Sequence, residues 1–242
     1  MVTPIQIVYD HDDFVVVNKP CDIPMHDPIH GICQLLCGQL SLAHLYLVHR
    51  LDSATSGCLL LAKNKQAAAI LSQLFATKQI QKFYIAVSDV KPKKKQGKIA
   101  GDMKKSRGGN YMLSQAESSQ PKAITFFISE SYHNIGRLFY IKPVTGKTHQ
   151  IRVALKSIGS AILGDKRYKG SSSDRLYLHS MVLEFSYNKN DYCIQCMPQT
   201  GEFFSSDLLK NISAIRELSW PKFKAPIANF NSALEANSVK PI

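Results

Sequence analysis

No stretch of this 242-residue chain approaches the roughly 18 consecutive apolar residues a membrane-spanning helix needs, so no membrane partner is expected. The opening Met1-Val2-Thr3-Pro4-Ile5 lacks the basic start and apolar run of a secretory signal, so a cytoplasmic location with reduced thiols is expected. Asn211-Ile212-Ser213 matches a glycosylation sequon but carries no meaning without secretion. A second ligand pair that could complete a metal site is also missing. Cys193 and Cys196 fall in a predicted strand, Cys33 and Cys37 have no matching second pair, and no metal site is expected. Acidic residues are scarce, 18 Asp+Glu against 30 Lys+Arg, leaving +12 and a pI near 9.4. Such an excess suits a polyanionic partner, because Lys and Arg that neutralise phosphates release counterions, although a basic chain can also simply be soluble. No internal repeat is present. The remaining composition, 45% apolar and 20% charged, is that of a globular protein long enough for a real core.

Periodicity predicts strands at Ile5–Tyr9 and Phe14–Asn18, joined through His11-Asp12-Asp13. Leu59–Ala62 is short and wholly apolar, as in a strand covered on both faces. Lys65–Lys78 carries Ala68, Leu71, Leu74 and Phe75 at helical spacing, with Asn64 as N-cap. Strand character returns at Lys82–Val87, Ala123–Ile128, Arg137–Ile141, Arg175–Phe185 and Tyr192–Met197, with a short helix at Thr148–Lys156. Residues 91–120 hold the lysine run Lys91–Lys98 and Lys104-Lys105-Ser106-Arg107, read as a solvated loop or, as a group, an RNA-facing arm. Residues 219–242 read as a loosely packed tail behind a catalytic domain at 1–218. The irregular alternation of helices and strands predicts an α+β fold with a mixed, largely antiparallel central sheet, flanking helices and a cleft.

One polar stretch sits between two buried-looking segments: His49-Arg50-Leu51-Asp52-Ser53-Ala54-Thr55-Ser56-Gly57. By residue type alone, Asp52 is a turn or capping residue for Ser53 and Thr55. A carboxylate beside an apolar strand costs free energy unless paired. A partner is at hand in Thr145-Gly146-Lys147-Thr148-His149-Gln150-Ile151-Arg152, whose predicted helix puts His149, Arg152 and Lys156 on one face and Ile151, Leu155 and Ile158 on another. Arg152 beside Asp52 favours the ionised carboxylate that a nucleophile needs; its plain alternative is a surface cation. Two lookalikes fail. Gly146-Lys147-Thr148 lacks the earlier P-loop glycine, since position 141 is Ile, and HRLD has neither the order nor the companions of a kinase loop.

These blocks, in this order, resemble the RluA-type RNA pseudouridine synthases over about residues 5–205. Val17-Asn18-Lys19-Pro20 with His26 is similar to the family's first motif, HRLDSATSG to its catalytic signature and Lys82-Phe83-Tyr84-Ile85-Ala86 to its tyrosine segment. TGKTHQIR is similar to its arginine segment, and Gly164–Tyr168 and Leu176–Ser180 to its last two blocks. Asp22 stands where the family usually has Gly, Lys147 where Arg is common, Ala154 where His is common and Ser180 where Ala is frequent. The resemblance starts near residue 5, so no S4-type segment is expected ahead of it.

The resemblance implies an isomerase that detaches, turns and rejoins the base of one uridine, with no metal or organic cofactor. It implies Asp52, Tyr84 and Arg152 as catalytic residues, with Asp52 acting as nucleophile, as electrostatic partner of the ribose or in proton removal. Tyr84 stacks on the base, and its hydroxyl is a candidate general base. Arg50 fills the space left by a flipped uridine, and His49, Lys147, Thr148 and His149 bind the RNA, a ribosomal or transfer RNA stem-loop. A monomer is expected. Two other classes compete: an RNA-binding or chaperone-like module of the same fold, and a nucleoside or glycoside hydrolase. The hydrolase needs two carboxylates, and these blocks are read as offering Asp52 alone.

Overall fold

Strands β1 (Gln6–Asp10) and β2 (Phe14–Lys19) form the expected antiparallel hairpin. The computed structural model that shows this describes residues 4–115, 117, 121–132, 135–204 and 215–221. β2 pairs along its length with β4 (Ser56–Ala62), and every residue of both strands is buried. Their alternation explains the continuous apolar runs. Val15, Val17, Leu59 and Leu61 face one core cluster with Ile32 and Leu36 of helix α1 (Ile32–Leu40). Phe14, Val16, Cys58, Leu60 and Ala62 face a second cluster with Ala67 and Leu71 of α2 (Lys65–Ala76). A strand buried on both faces has no polar side to alternate with. The Asn64 side chain caps α2 by accepting from Ala67 N at 2.8 Å.

The far edge of β4 is shared. Near its end it pairs with the short β3 (Tyr46–Leu47); at its start it pairs, in parallel and for two residues only, with β10 (Leu178–Tyr187). β10 then diverges and takes β11 (Asn190–Gln195) on that edge. Beyond β10 the sheet runs antiparallel through β5 (Gln81–Ser88), β9 (Gly136–Pro143), β8 (Ala123–Tyr132), β6 (Gln96–Lys105) and β7 (Tyr111–Ser114). The result is a mixed, mostly antiparallel α+β sheet flanked by α1, α2 and α3 (Gln150–Ser157). Gly57 permits the contact of β4 with β10: its φ is +109° and a Cβ there would lie 2.1 Å from Ser180 O.

Three readings of the chain change. Residues 91–120 do not form one solvated loop, because β6 and β7 make a hairpin on the sheet edge. Its inner face is anchored by buried Ile99 and by Asp102, whose carboxylate accepts from Glu117 N and Lys122 N, while Lys104 and Lys105 stay exposed. Lysine count outweighed a weak alternation there. Helix α3 starts at Gln150, not Thr148, and His149 precedes it with left-handed backbone, φ +56°. Helix α1 answers to no expectation drawn from the sequence, although Ile32, Leu36 and Leu40 have its spacing. At the far end Ile215 is buried and Trp220 packs on Phe83, ring centroids 5.9 Å apart. The rest of the expected loose tail, 222–242, lies outside the described residues.

Candidate active site

The diverging strands leave a cleft of about 740 Å³ whose floor carries Asp52, Tyr84 and Arg152. His49, Arg50, Lys147, Thr148 and His149 line it too, so all eight residues singled out in the sequence meet in one place.

The loop bearing Asp52 is held from below by groups far away in sequence. Thr55 N donates to Asp52 O (3.0 Å), a tight turn, and Leu51 is buried. The wholly buried Lys19 donates from Nζ to the carbonyls of Pro20, Ser53 and Thr55 at 2.7–3.0 Å. Burial pulls this ammonium down to about 8. Asp22 N donates to Ser53 O (2.8 Å) from a left-handed backbone, φ +62°. The turn therefore keeps the conformation glycine favours. Asp22→Gly is expected to raise stability by about 0.5–1 kcal/mol, read as a higher denaturation midpoint; an unchanged or lower midpoint would count against backbone strain here.

His49 is committed to the scaffold. Between the short pairings with β3 and β10, Leu60 N on β4 lacks a strand partner, and His49 Nε2 accepts its hydrogen bond at 2.9 Å. The ring stacks on Phe75, 4.3 Å between centroids. At the other end of the loop, Ser56 Oγ bonds His179 Nδ1 (2.7 Å) and accepts from Arg175 Nη2 (2.6 Å), while His179 Nε2 bonds Cys196 O (3.0 Å). Burial holds both His49 and His179 down at about 3. The folded state thus refuses protons that the unfolded chain accepts below about pH 6.5. Stability supplied by the neutral rings is complete above that pH and drains away as pH falls toward 3. Melting temperature should drop steadily between about pH 6.5 and 4, and His179→Gln should flatten the slope. A flat profile in the parent protein would refute this.

Arg152 is no surface cation; it is 8% exposed. Its Nη1 donates to Asp52 Oδ2 at 3.1 Å, while Nε and Nη2 grip both oxygens of Asp165 at 2.8 and 2.7 Å. Asp165 corrects the reading that the motif blocks offer a single acid. It stands in the Gly164–Tyr168 block, is 1% exposed, and also accepts from Tyr168 N at 3.2 Å. Held this way on the far side of Arg152, it orients the guanidinium and is not a second catalytic acid facing the cleft. The fork of two parallel bonds fixes the plane of Arg152 and leaves Nη1 aimed at Asp52. Gln150 secures the start of α3: its Oε1 accepts from Lys147 N (3.0 Å) and Thr145 Oγ1 (2.7 Å). His149 lies just ahead of α3, Nε2 3.9 Å from Asp52 Oδ2, and burial lowers its proton affinity.

Tyr84, on β5, is buried, and burial pushes its hydroxyl up to about 12. Arg50 is exposed and borders both the main cleft and a shallow recess beside His26. Lys147 is exposed and Thr148 half-buried at the rim. Lys82, one residue before Phe83, also lines the cleft, and burial lowers its ammonium. It lies in the tyrosine segment, where its residue type alone points to no role. No cluster of potential metal ligands occurs among the described residues, and none of their helices is long and apolar enough to cross a membrane.

A split sheet carries a carboxylate–guanidinium pair at the base of a basic cleft, an arrangement suited to chemistry on a polyanionic substrate. The family described as RNA pseudouridylate synthase matches residues 13–157. The chain is 48% identical over 204 residues to a Haemophilus influenzae protein named "Uncharacterized RNA pseudouridine synthase", covering 83% of this chain and 90% of that one. It is 32% identical over 190 residues to "Ribosomal large subunit pseudouridine synthase C" of Rickettsia bellii, covering 75% of this chain but 62% of the relative. The solved structure of "Human RNA Pseudouridylate Synthase Domain Containing 1" has the same fold, with a TM-score of 0.71 over 90% of this chain and 97% of that chain at 23% identity. The chain belongs to the RNA pseudouridylate synthase family, in its RluA-type branch.

Proposed function

We propose that this protein isomerises one uridine of a structured ribosomal or transfer RNA, with Asp52 as the essential group. The observation that carries this reading is the Asp52–Arg152–Asp165 chain, in which a carboxylate at the cleft floor is paired by a guanidinium that is itself clamped. In the reaction the N1–C1′ bond of uridine breaks, C5 bonds to C1′, and the proton leaves C5 as N1 gains one. Asp52 serves the ribose side of this exchange, as nucleophile at C1′, as support for positive charge developing there, or in proton removal from the sugar. A paired base cannot reach the cleft floor, so the uridine leaves its stack at a cost of a few kcal/mol. Arg50, exposed at the rim, takes the vacated place, its guanidinium plane stacking on neighbouring bases.

Tyr84 forms the platform under the base. With its proton held to about 12, it meets the base as a phenol, which favours hydrogen-bond donation over service as a resting general base. His49 acts through the loop it anchors. Lys147 and Thr148 at the rim, with Lys104 and Lys105 on the β6–β7 hairpin, hold phosphates and position the RNA without reading sequence. The protein acts as a monomer in the cytoplasm, with residues 1–218 as the catalytic unit. The test is chemical mapping of pseudouridine in total RNA from cells with and without the protein. Loss of one defined site is expected; an unchanged map would favour an RNA-binding module, and free uracil from purified protein and RNA would favour a hydrolase.

A further inference from the structure

Tyr168 touches the Asp165 turn, Arg152, His149 and the β6–β7 hairpin at once. It closes the short 3₁₀ turn Lys166–Tyr168, and its backbone N donates to Asp165. The Arg152 guanidinium lies over its ring, 5.1 Å from the centroid. Its hydroxyl accepts from Tyr111 N of the β6–β7 hairpin at 3.1 Å and lies 2.8 Å from His149 Nδ1. The rings of Tyr111 and Tyr168 both meet the His149 imidazole edge-on, at 5.8 and 5.6 Å. Together they hold that imidazole on a left-handed backbone that few side chains adopt.

The partners of the Tyr168 hydroxyl bear on which ring nitrogen of His149 carries the proton. Tyr111 N–H can only donate, so the phenol oxygen accepts there. The phenol's own proton then needs an acceptor, and Tyr168 is 6% exposed. Among the described residues, His149 Nδ1 is the acceptor that the hydroxyl meets. Were Nδ1 protonated, the phenol proton would be stranded. The proton of neutral His149 therefore sits on Nε2, which faces Asp52 Oδ2 at 3.9 Å. Asp52, Asp165, Arg152 and Arg167 are the charged groups acting on this ring.

Resting on the role of Asp52 given above, we propose that Tyr168 is a positioning residue for the isomerisation. Its hydroxyl fixes His149 as the Nε2–H tautomer. Arg152 then donates to Oδ2 of Asp52 at 3.1 Å, and the Nε2–H of His149 faces the same oxygen at 3.9 Å.

The test begins with the resting protein. Ring-nitrogen NMR of the wild type, with His149→Gln used to assign the signal, should show the proton on Nε2 of His149. In Tyr168→Phe the ring remains under Arg152 but the tautomer should become mixed. With an RNA substrate, Tyr168→Phe should lose kcat by about tenfold with KM close to wild type, and the unpaired Tyr111 N–H should lower the melting temperature modestly without unfolding the protein. His149→Gln, which keeps an N–H donor at the outer position, should retain several-fold more activity than His149→Ala. A proton on Nδ1 in the wild type overturns the proposal even if Tyr168→Phe fails to fold. So does a Tyr168→Phe enzyme with full kcat, or one that loses only KM and stability. Asp52→Asn assayed alongside separates the two questions: full activity there would remove the role of Asp52, whereas the tautomer is read without turnover.

Discussion

Asp52→Asn is expected to lower pseudouridine formation by on the order of 10³-fold or more while the protein stays folded. The substitution keeps the shape and leaves an oxygen that accepts from Arg152 Nη1. It removes the charge that a nucleophile, an electrostatic partner or a proton acceptor each requires. Arg152 does not become an orphan, because both oxygens of Asp165 still hold it. The stability cost should therefore stay near 1 kcal/mol, the scale of one weakened hydrogen bond. Tritium release from RNA labelled at C5 of uridine measures the activity, and a denaturant melt measures the fold. Activity above a tenth of wild type would exclude Asp52 as the essential group. Loss of activity together with the fold would leave chemistry and structure unseparated, and Asp52→Glu would then be used to separate them.

Asp165→Ala is expected to act on both quantities at once. It leaves a guanidinium that is 8% exposed with one carboxylate where it had two. Breaking a buried ion pair from one side costs about 3–5 kcal/mol, because the remaining charge is buried without compensation. The Tyr168 N–H also loses its carboxylate acceptor. Arg152 would then be free to rotate away from Asp52, and a misplacement of about 1 Å at a reacting group is enough to cost roughly 10²-fold. Asp165→Asn should fall between Ala and wild type, since it keeps the shape and one acceptor. Urea midpoints and single-turnover rates check the two effects. A stable, fully active Asp165→Ala would show that Asp52 alone suffices to hold Arg152.

Local pattern placed most elements to within a few residues. The β1–β2 hairpin, the twice-buried β4, α2 with its Asn64 cap, and β5, β8 and β9 all show their period or their apolar run in fewer than a dozen residues. The β6–β7 hairpin was hidden because lysines crowd its alternation; an edge strand tolerates them where their side chains reach water. Helix α3 lost its first turn because Gln150, not Thr148, satisfies the loop ahead of it.

The linear blocks were enough to bring Asp52, Tyr84 and Arg152 to one site, because each sits in a short motif whose order along the chain could be read. What holds and aims them could not be read there. Lys19 reaches carbonyls 34 and 36 residues away, and Arg152 reaches a carboxylate 100 residues away. His49 fills a gap in the ladder that exists only because β3 and β10 share one edge of β4. Asp165 and Tyr168 look like ordinary turn residues until the turn is laid against α3. Side-chain type and spacing carry the chemistry of a site, since those are local properties. Which donor meets which acceptor depends on burial and on chain crossings, and for this protein those came into being only when the sheet split and α3 packed beside the cleft.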